Sequence, residues 1–305
     1  MRVAYITDEI YLKHNPGVAH PESPARLIAI NKALEGVKER LIAVEPLSAS
    51  EKLIALVHTP ELIEKIKEAS SSESAIDADT VCSKDSFEAA KKAVGAGIAA
   101  VDGVKARTFE RAFCAVRPPG HHATPTDAMG FCLFNNIAIT ARYAQSAGYK
   151  KVMIIDFDVH HGNGTQQTFW EDDTVFYFSS HQSFSYPGTG AESHIGERKG
   201  EGYTANFLMM PESGDEELLD IYQNDLPPLA AKFKPDIILV SAGYDLHESD
   251  PLASLNITTE GIRKMVRIIL SLSDVPYIFF LEGGYDLDAL GENVKVTIEE
   301  MLRQG

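Results

Sequence analysis

The chain has 305 residues, 44% of them hydrophobic and 24% charged, a globular composition that excludes a disordered chain. No apolar run reaches the ~18 residues of a membrane span, so no membrane partner is expected. With 28 basic against 44 acidic side chains the net charge is −16, which repels a phosphate backbone and argues against nucleic acid; a cationic substrate, or plain solubility, suits it better.

RVAYIT (2–7) reads as a first strand, and Asp8, Glu9 and Lys13 put charge where a signal peptide needs its apolar stretch. SPARLIAINKALEGV (23–37) reads as a helix, with Ser23 as N-cap and Pro24 in the first turn. Ser70, Ser71, Ser72 and Ser74 mark a polar surface loop. Then follow a helix over 86–104, a strand RAFCAVR (111–117) and a helix over 134–148. The strands KVMIIDFD (151–158), TVFYFSS (174–180) and DIILVSA (236–242) come next. A helix over 259–273, capped by Thr259, leads to the last strand, PYIFFLE (276–282). Continuous apolar strands alternating with amphipathic helices predict one α/β domain over 1–305, a three-layer αβα with a central, mostly parallel sheet. Cys82, Cys114 and Cys132 are odd in number and widely spaced. They suit neither a disulfide framework nor a cysteine-rich zinc module, and a reducing, cytoplasmic setting is expected. Self-association is compatible with the sequence.

Ligands of open parallel sheets bind beyond the carboxyl ends of the strands. Four runs end there in polar clusters: Pro118-Pro119-Gly120-His121-His122, Val159-His160-His161-Gly162-Asn163-Gly164, Gly243-Tyr244-Asp245 and Gly283-Gly284-Tyr285. Strand alternation puts Asp156, Asp158 and His160 on one side. Buried carboxylates need a cation, whether a metal or a His or Arg partner. Asp158 and His160, with Asp245 from another strand, make an Asp₂His set with an open position, as catalytic metal sites have. Two oxygens and one nitrogen favour Zn²⁺, with Fe²⁺, Co²⁺ or Mn²⁺ as alternatives. Asp156 is then free to hold one imidazole of the His121–His122 turn, and Asn163 to orient the other. Tyr285, past a double glycine, offers a neutral donor for an oxyanion.

RPPGHHA, GFCLFNN, DFDVHHGNGT, SAGYD…DPL and LEGGYDL, with HPESPARL (20–27), together resemble the histone deacetylase superfamily and its arginase-like fold, from about Tyr5 to Leu287. Asn163 and the Glu282-Gly283-Gly284-Tyr285 stretch resemble its class II branch. The resemblance implies that Asp158, His160 and Asp245 bind zinc and that His122 is general base and then general acid. It implies that His121, paired with Asp156, helps electrostatically and that Tyr285 polarises the carbonyl. Gly130, Phe131 and Tyr186 would line an acyl-lysine tunnel, Asp79 would grip substrate backbone at its rim, and Arg26 matches an inner-cavity arginine. Potassium would sit on main-chain oxygens of Asp156, Asp158 and His160 with Ser179 and Ser180. A second potassium site would use Phe169, Asp172, Val175 and Tyr203. The implied activity is deacylation of acyl-lysine in proteins or peptides. Acetylpolyamine hydrolysis is the rival, and Leu252, where polyamine-preferring relatives can carry an acid, leans against it. A silent acyl-lysine binding module is the reading from another class.

Overall fold

The computed structural model describes residues 1–303, so the last two positions of the expected 1–305 domain lie outside the described residues. Eight strands form one sheet: β1 (Val3–Ile6), β2 (Ile42–Val44), β3 (Arg111–Cys114), β4 (Val152–Asp156), β5 (Val175–Gln182), β6 (Thr204–Met209), β7 (Ile237–Ala242) and β8 (Tyr277–Leu281). Their order is β2-β1-β3-β8-β7-β4-β5-β6, and every pairing is parallel, so the expected mostly parallel sheet is wholly so. Helices pack on it: Ala25–Ala33 lies against Leu287–Leu302, which also meets Thr259–Ser271, while Ser86–Lys105 lies against Asn136–Ala147. The inner strands β1, β3, β4, β7 and β8 are buried at every residue, which is why they read as unbroken apolar runs.

The sheet order brings the four polar-ended strands together. β3, β8, β7 and β4 are consecutive neighbours, and being parallel they deliver their carboxyl ends to one rim.

Three local expectations need correction. Ser70, Ser71 and Ser72 form the last turn of the helix Pro60–Ser72; Ser70 is buried and its hydroxyl donates to the carbonyls of Ser83 and Lys84, which ties that turn down. Pro24, not Ser23, stands at the N-cap of Ala25–Ala33, with no side-chain cap. Thr258, not Thr259, caps Thr259–Ser271, its hydroxyl accepting from the Gly261 N–H at 3.1 Å. The three cysteines are free and buried.

Candidate active site

β4 stops at Asp156, and Asp156 and Asp158 both flank the His121 imidazole, Asp156 Oδ2 at 3.1 Å from Nδ1 and Asp158 Oδ2 at 3.8 Å from Nε2. One ligand atom each from Asp158, His160 and Asp245 lies within 4.8 Å of the others. His160 Nδ1 stands 3.2 Å from Asp158 Oδ1 and 3.1 Å from Asp245 Oδ2. The other carboxylate oxygens are anchored: Gly283 N–H donates to Asp158 Oδ2 at 2.8 Å, and Val159 N–H to Asp245 Oδ1 at 3.0 Å. Both carboxylates are buried.

Crowding two acids in one buried spot shows in their protonation. Burial, then the charge of Asp158, lifts Asp245 to about 7. Burial works against a charged His160, but its hydrogen bonds to Asp158 and Asp245 hold it up at about 10. A divalent cation at the point of convergence would relieve this charge, and the donor set suits one. Gly283 shapes the wall: a Cβ there would stand 2.1 Å from Asp245 Oδ2 and 2.7 Å from Asp158 Oδ2, so a side chain would push into the cradle.

The histidine turn stands beside it. His121 Nδ1 donates to Asp156 Oδ2 at 3.1 Å, and the same oxygen accepts from the Tyr177 hydroxyl at 3.0 Å. Burial opposes a charge on His121, but Asp158 and Asp156 outweigh it and raise its pKa to about 10. His122 is the opposite case: burial, then the charges of His121 and His160, push it well below the usual histidine range. Its Nδ1 lies 2.8 Å from Asn163 Oδ1, while Asn163 Nδ2 donates to the His122 carbonyl. That second bond fixes which way the amide faces. Nδ1 must therefore carry the proton, and Nε2 keeps a free lone pair.

Tyr285 is held through its backbone, its N–H donating to Asp250 Oδ2 at 2.7 Å. Arg26 stacks 5.1 Å from its ring centroid and donates to the Gly284 carbonyl at 2.7 Å. Burial, then Asp245, keeps the Tyr285 hydroxyl well above its ordinary pKa, hence neutral. Phe131, with φ of 67°, sits edge-on 5.9 Å from Tyr285, and Tyr186 edge-on 5.0 Å from His122 and 6.3 Å from His160. Between the two walls, Gly130 (φ 56°) leaves no room for a Cβ, which would meet His122 Cδ2 at 2.6 Å. Asp79 is joined to the Phe131 wall through Thr80: Thr80 Oγ1 donates to the Asp79 carboxylate and accepts from Phe131 N–H. Leu252 is 41% exposed, its N–H bound to Asp250 Oδ1 at 3.0 Å.

Of the residues expected for potassium, Asp156, Asp158 and His160 belong to the site just described. Asp156 pairs in register with Ser179, whose hydroxyl is 2.9 Å from His181 Nδ1, and the Ser180 hydroxyl is 2.9 Å from that of Tyr222. Asp172 N–H donates to the Phe169 carbonyl at 3.0 Å, Val175 opens β5, and the Tyr203 carbonyl accepts from Tyr177 N–H at 2.9 Å. The Asp172 side chain is paired with Arg142.

Sequence reasoning missed the scaffold under these groups. Asp250 holds the backbone of Tyr285, and Glu282 binds the histidine turn. Glu22 bridges Arg26 and Arg117, all three fully buried. Glu282 and Asp250 stand inside motifs that were noticed, but an acid that accepts backbone N–H bonds leaves no spacing signal. Cys132 is buried, and burial holds its thiol well above the ordinary range, so no thiolate nucleophile is on offer.

A histone deacetylase domain matches residues 20–301. The chain is 42% identical to histone deacetylase 10, chloroplastic, of Oryza sativa subsp. japonica, over 93% of this chain and 70% of that one. It is 42% identical to histone deacetylase 14, chloroplastic, of Arabidopsis thaliana (95% and 74%), and 38% identical to a probable deacetylase of Archaeoglobus fulgidus (94% and 82%). The crystal structure of the HDA15 HD domain superposes with a TM-score of 0.96 at 35% identity, over 99% of this chain and 88% of that one. No described helix is long and apolar enough to cross a membrane.

Proposed function

The chain belongs to the histone deacetylase family, and we propose that it is a zinc-dependent amide hydrolase that removes acetyl or other acyl groups from lysine side chains. The observation that carries this reading is the convergence of Asp158, His160 and Asp245 on one buried point beside the His121–His122 turn. Zinc suits two carboxylate oxygens and one imidazole with an open side, and iron or cobalt would accept the same donors. Bound there, the ion would polarise an acyl carbonyl and acidify water.

The chain's own residues handle the protons. His122, neutral and fixed on Asn163, presents Nε2 to take a proton from the attacking water. His121, held by Asp156, sets positive charge near the developing oxyanion. The Tyr285 hydroxyl donates to the carbonyl oxygen as it gains negative charge. His122 then gives its proton to the departing nitrogen, the C–N bond breaks, and acetate and the free amine result. Gly130, Phe131 and Tyr186 would enclose the lysine stem, with Asp79 and Leu252 at the mouth. Leucine at 252 favours a neutral acyl-lysine stem over an acylated polyamine. Potassium on the oxygens named above, one catalytic domain across the chain, and a cytoplasmic setting complete the reading.

The test is turnover of a fluorogenic acetyl-lysine peptide and of acetylspermidine, with and without chelator. Chelation is expected to stop hydrolysis, and added zinc to restore it. Faster acetylspermidine cleavage would give the polyamine reading the site, and binding without turnover would give it to the silent module.

Tyr285→Phe keeps the ring against Phe131 and Arg26 but removes the hydroxyl donor. The carbonyl oxygen needs that donor most in the transition state, so kcat is expected to fall by about 10²-fold or more. Substrate affinity and metal content should change far less. A near wild-type rate would move the oxyanion role elsewhere.

A further inference from the structure

We propose that Glu282 is a positioning residue for the histidine turn, its carboxylate fixing the Gly120–His121 backbone and so setting where the two imidazoles stand. Glu282 is fully buried where β8 ends. Its Oε2 accepts the Gly120 N–H at 2.7 Å and the His121 N–H at 3.2 Å. Its Oε1 accepts the Ser241 hydroxyl at 3.1 Å from the neighbouring β7. A buried carboxylate is costly unless its lone pairs are filled. Here they are filled by the turn and by one serine. The same bonds satisfy two buried N–H groups of an irregular loop, where no strand neighbour serves them.

The turn is held from both sides. The His121 carbonyl accepts from the N–H groups of Gly164 and Thr165, each at 3.1 Å, and Asn136 Nδ2 donates to the Pro118 carbonyl at 3.1 Å. Those bonds restrain the carbonyl side, and Glu282 restrains the N–H side. Its own backbone is pinned: its N–H donates to the Ala242 carbonyl at 3.0 Å and its carbonyl accepts from Arg26. The next residue, Gly283, binds the Asp158 carboxylate. A single stretch of chain thus references the proton-handling histidines to the ligand carboxylate. No bond is made or broken at Glu282, and its effect passes through His121 and His122. A catalytic group misplaced by about 1 Å can cost on the order of 10² in rate.

The inference rests on His122 as the proton-transfer group, so wild type and His122→Ala run in the same assay. E282Q keeps an oxygen for both N–H groups and gives Ser241 a donor in place of an acceptor. E282A removes every bond. E282Q is expected to stay within about threefold of wild-type kcat, whereas E282A should lose about 30-fold or more, with KM and metal content within about twofold. Wild-type kcat in E282A, or equal damage in E282Q and E282A, overturns the proposal. Should E282A not fold, Ser241→Ala takes its place: loosening the carboxylate should lower kcat about fivefold with metal content unchanged, and an unchanged rate overturns it. If wild type cleaves no acyl substrate, the functional reading fails, and NMR still decides this inference. The His121 and His122 resonances should move in E282A and hold in E282Q; if they hold in E282A, Glu282 does not position the turn.

Discussion

Asp245→Ala should yield protein with little bound metal and no measurable amide hydrolysis. Among the described residues, Asp245 Oδ2 is one of three donor atoms at the proposed zinc point, and the other two come from a single loop, Asp158 and His160. Without it two donors remain, and a divalent ion held by two side chains exchanges readily with water. Loss of a group that merely supports a ligand costs about 10–100-fold in affinity, so loss of the ligand itself should cost more. Alanine has a second effect, because Asp245 Oδ1 also accepts the Val159 N–H, and freeing that buried donor costs about 1–3 kcal/mol. Asp245→Asn separates the two. It keeps an oxygen for Val159 and leaves a weaker, uncharged donor towards the metal. Elemental analysis beside a melting curve reads the result: both variants should be metal-poor, and Asn should melt nearer to wild type. Full activity with sub-stoichiometric metal in either would sink the zinc assignment.

His122→Ala should lower kcat by about 10³-fold while metal content stays at the wild-type level. General acid–base catalysis contributes typically 10²–10⁴, and His122 is proposed to act twice, first as base and then as acid. Its ring contacts Tyr186 and stands 6.1 Å from that of His160, yet it belongs to no set of converging ligand atoms among the described residues. Removing it should therefore leave the metal point intact. His121→Ala should keep more residual activity, because that imidazole adds charge without exchanging protons with substrate. A fall in metal content with either change would make the turn a ligand loop and reverse this division of labour.

What could be read in the sequence follows burial. β3, β4, β7 and β8 are buried at every residue, so each appears as a continuous apolar run that ends abruptly in polar residues. The edge strands β2 and β6 are partly exposed; β2 is only three residues long and β6 mixes polar with apolar residues, so neither gives such a signal. The converging side chains were legible because each follows a legible strand. The supports were not. Glu22 and Arg117 look like solvent-facing charges along the chain, and only tertiary folding brings them into a closed buried group with Arg26, whose inner place the family resemblance implied. Beyond the end of β4, Asp156 and Asp158 both reach His121, while Asp156 also accepts from Tyr177 and Asp158 also meets His160.

The place of β8 in the sheet also governs how the molecule can assemble. β8 is the last strand in sequence, yet it lies between β3 and β7, and no other strand joins the β2-β1-β3 group to the β7-β4-β5-β6 group. During synthesis, the first seven strands emerge while both of these inner edges are still unpaired. Open apolar edges of that kind are templates for aggregation, and long-range parallel pairing is slow to form. Insertion of residues 277–281 closes both edges in one event and brings Tyr285 and the Glu282 support to the rim. A nascent chain released before that point would hold the histidine turn and the proposed ligands on two unjoined half-sheets, so hydrolytic competence should arrive only with the final strand.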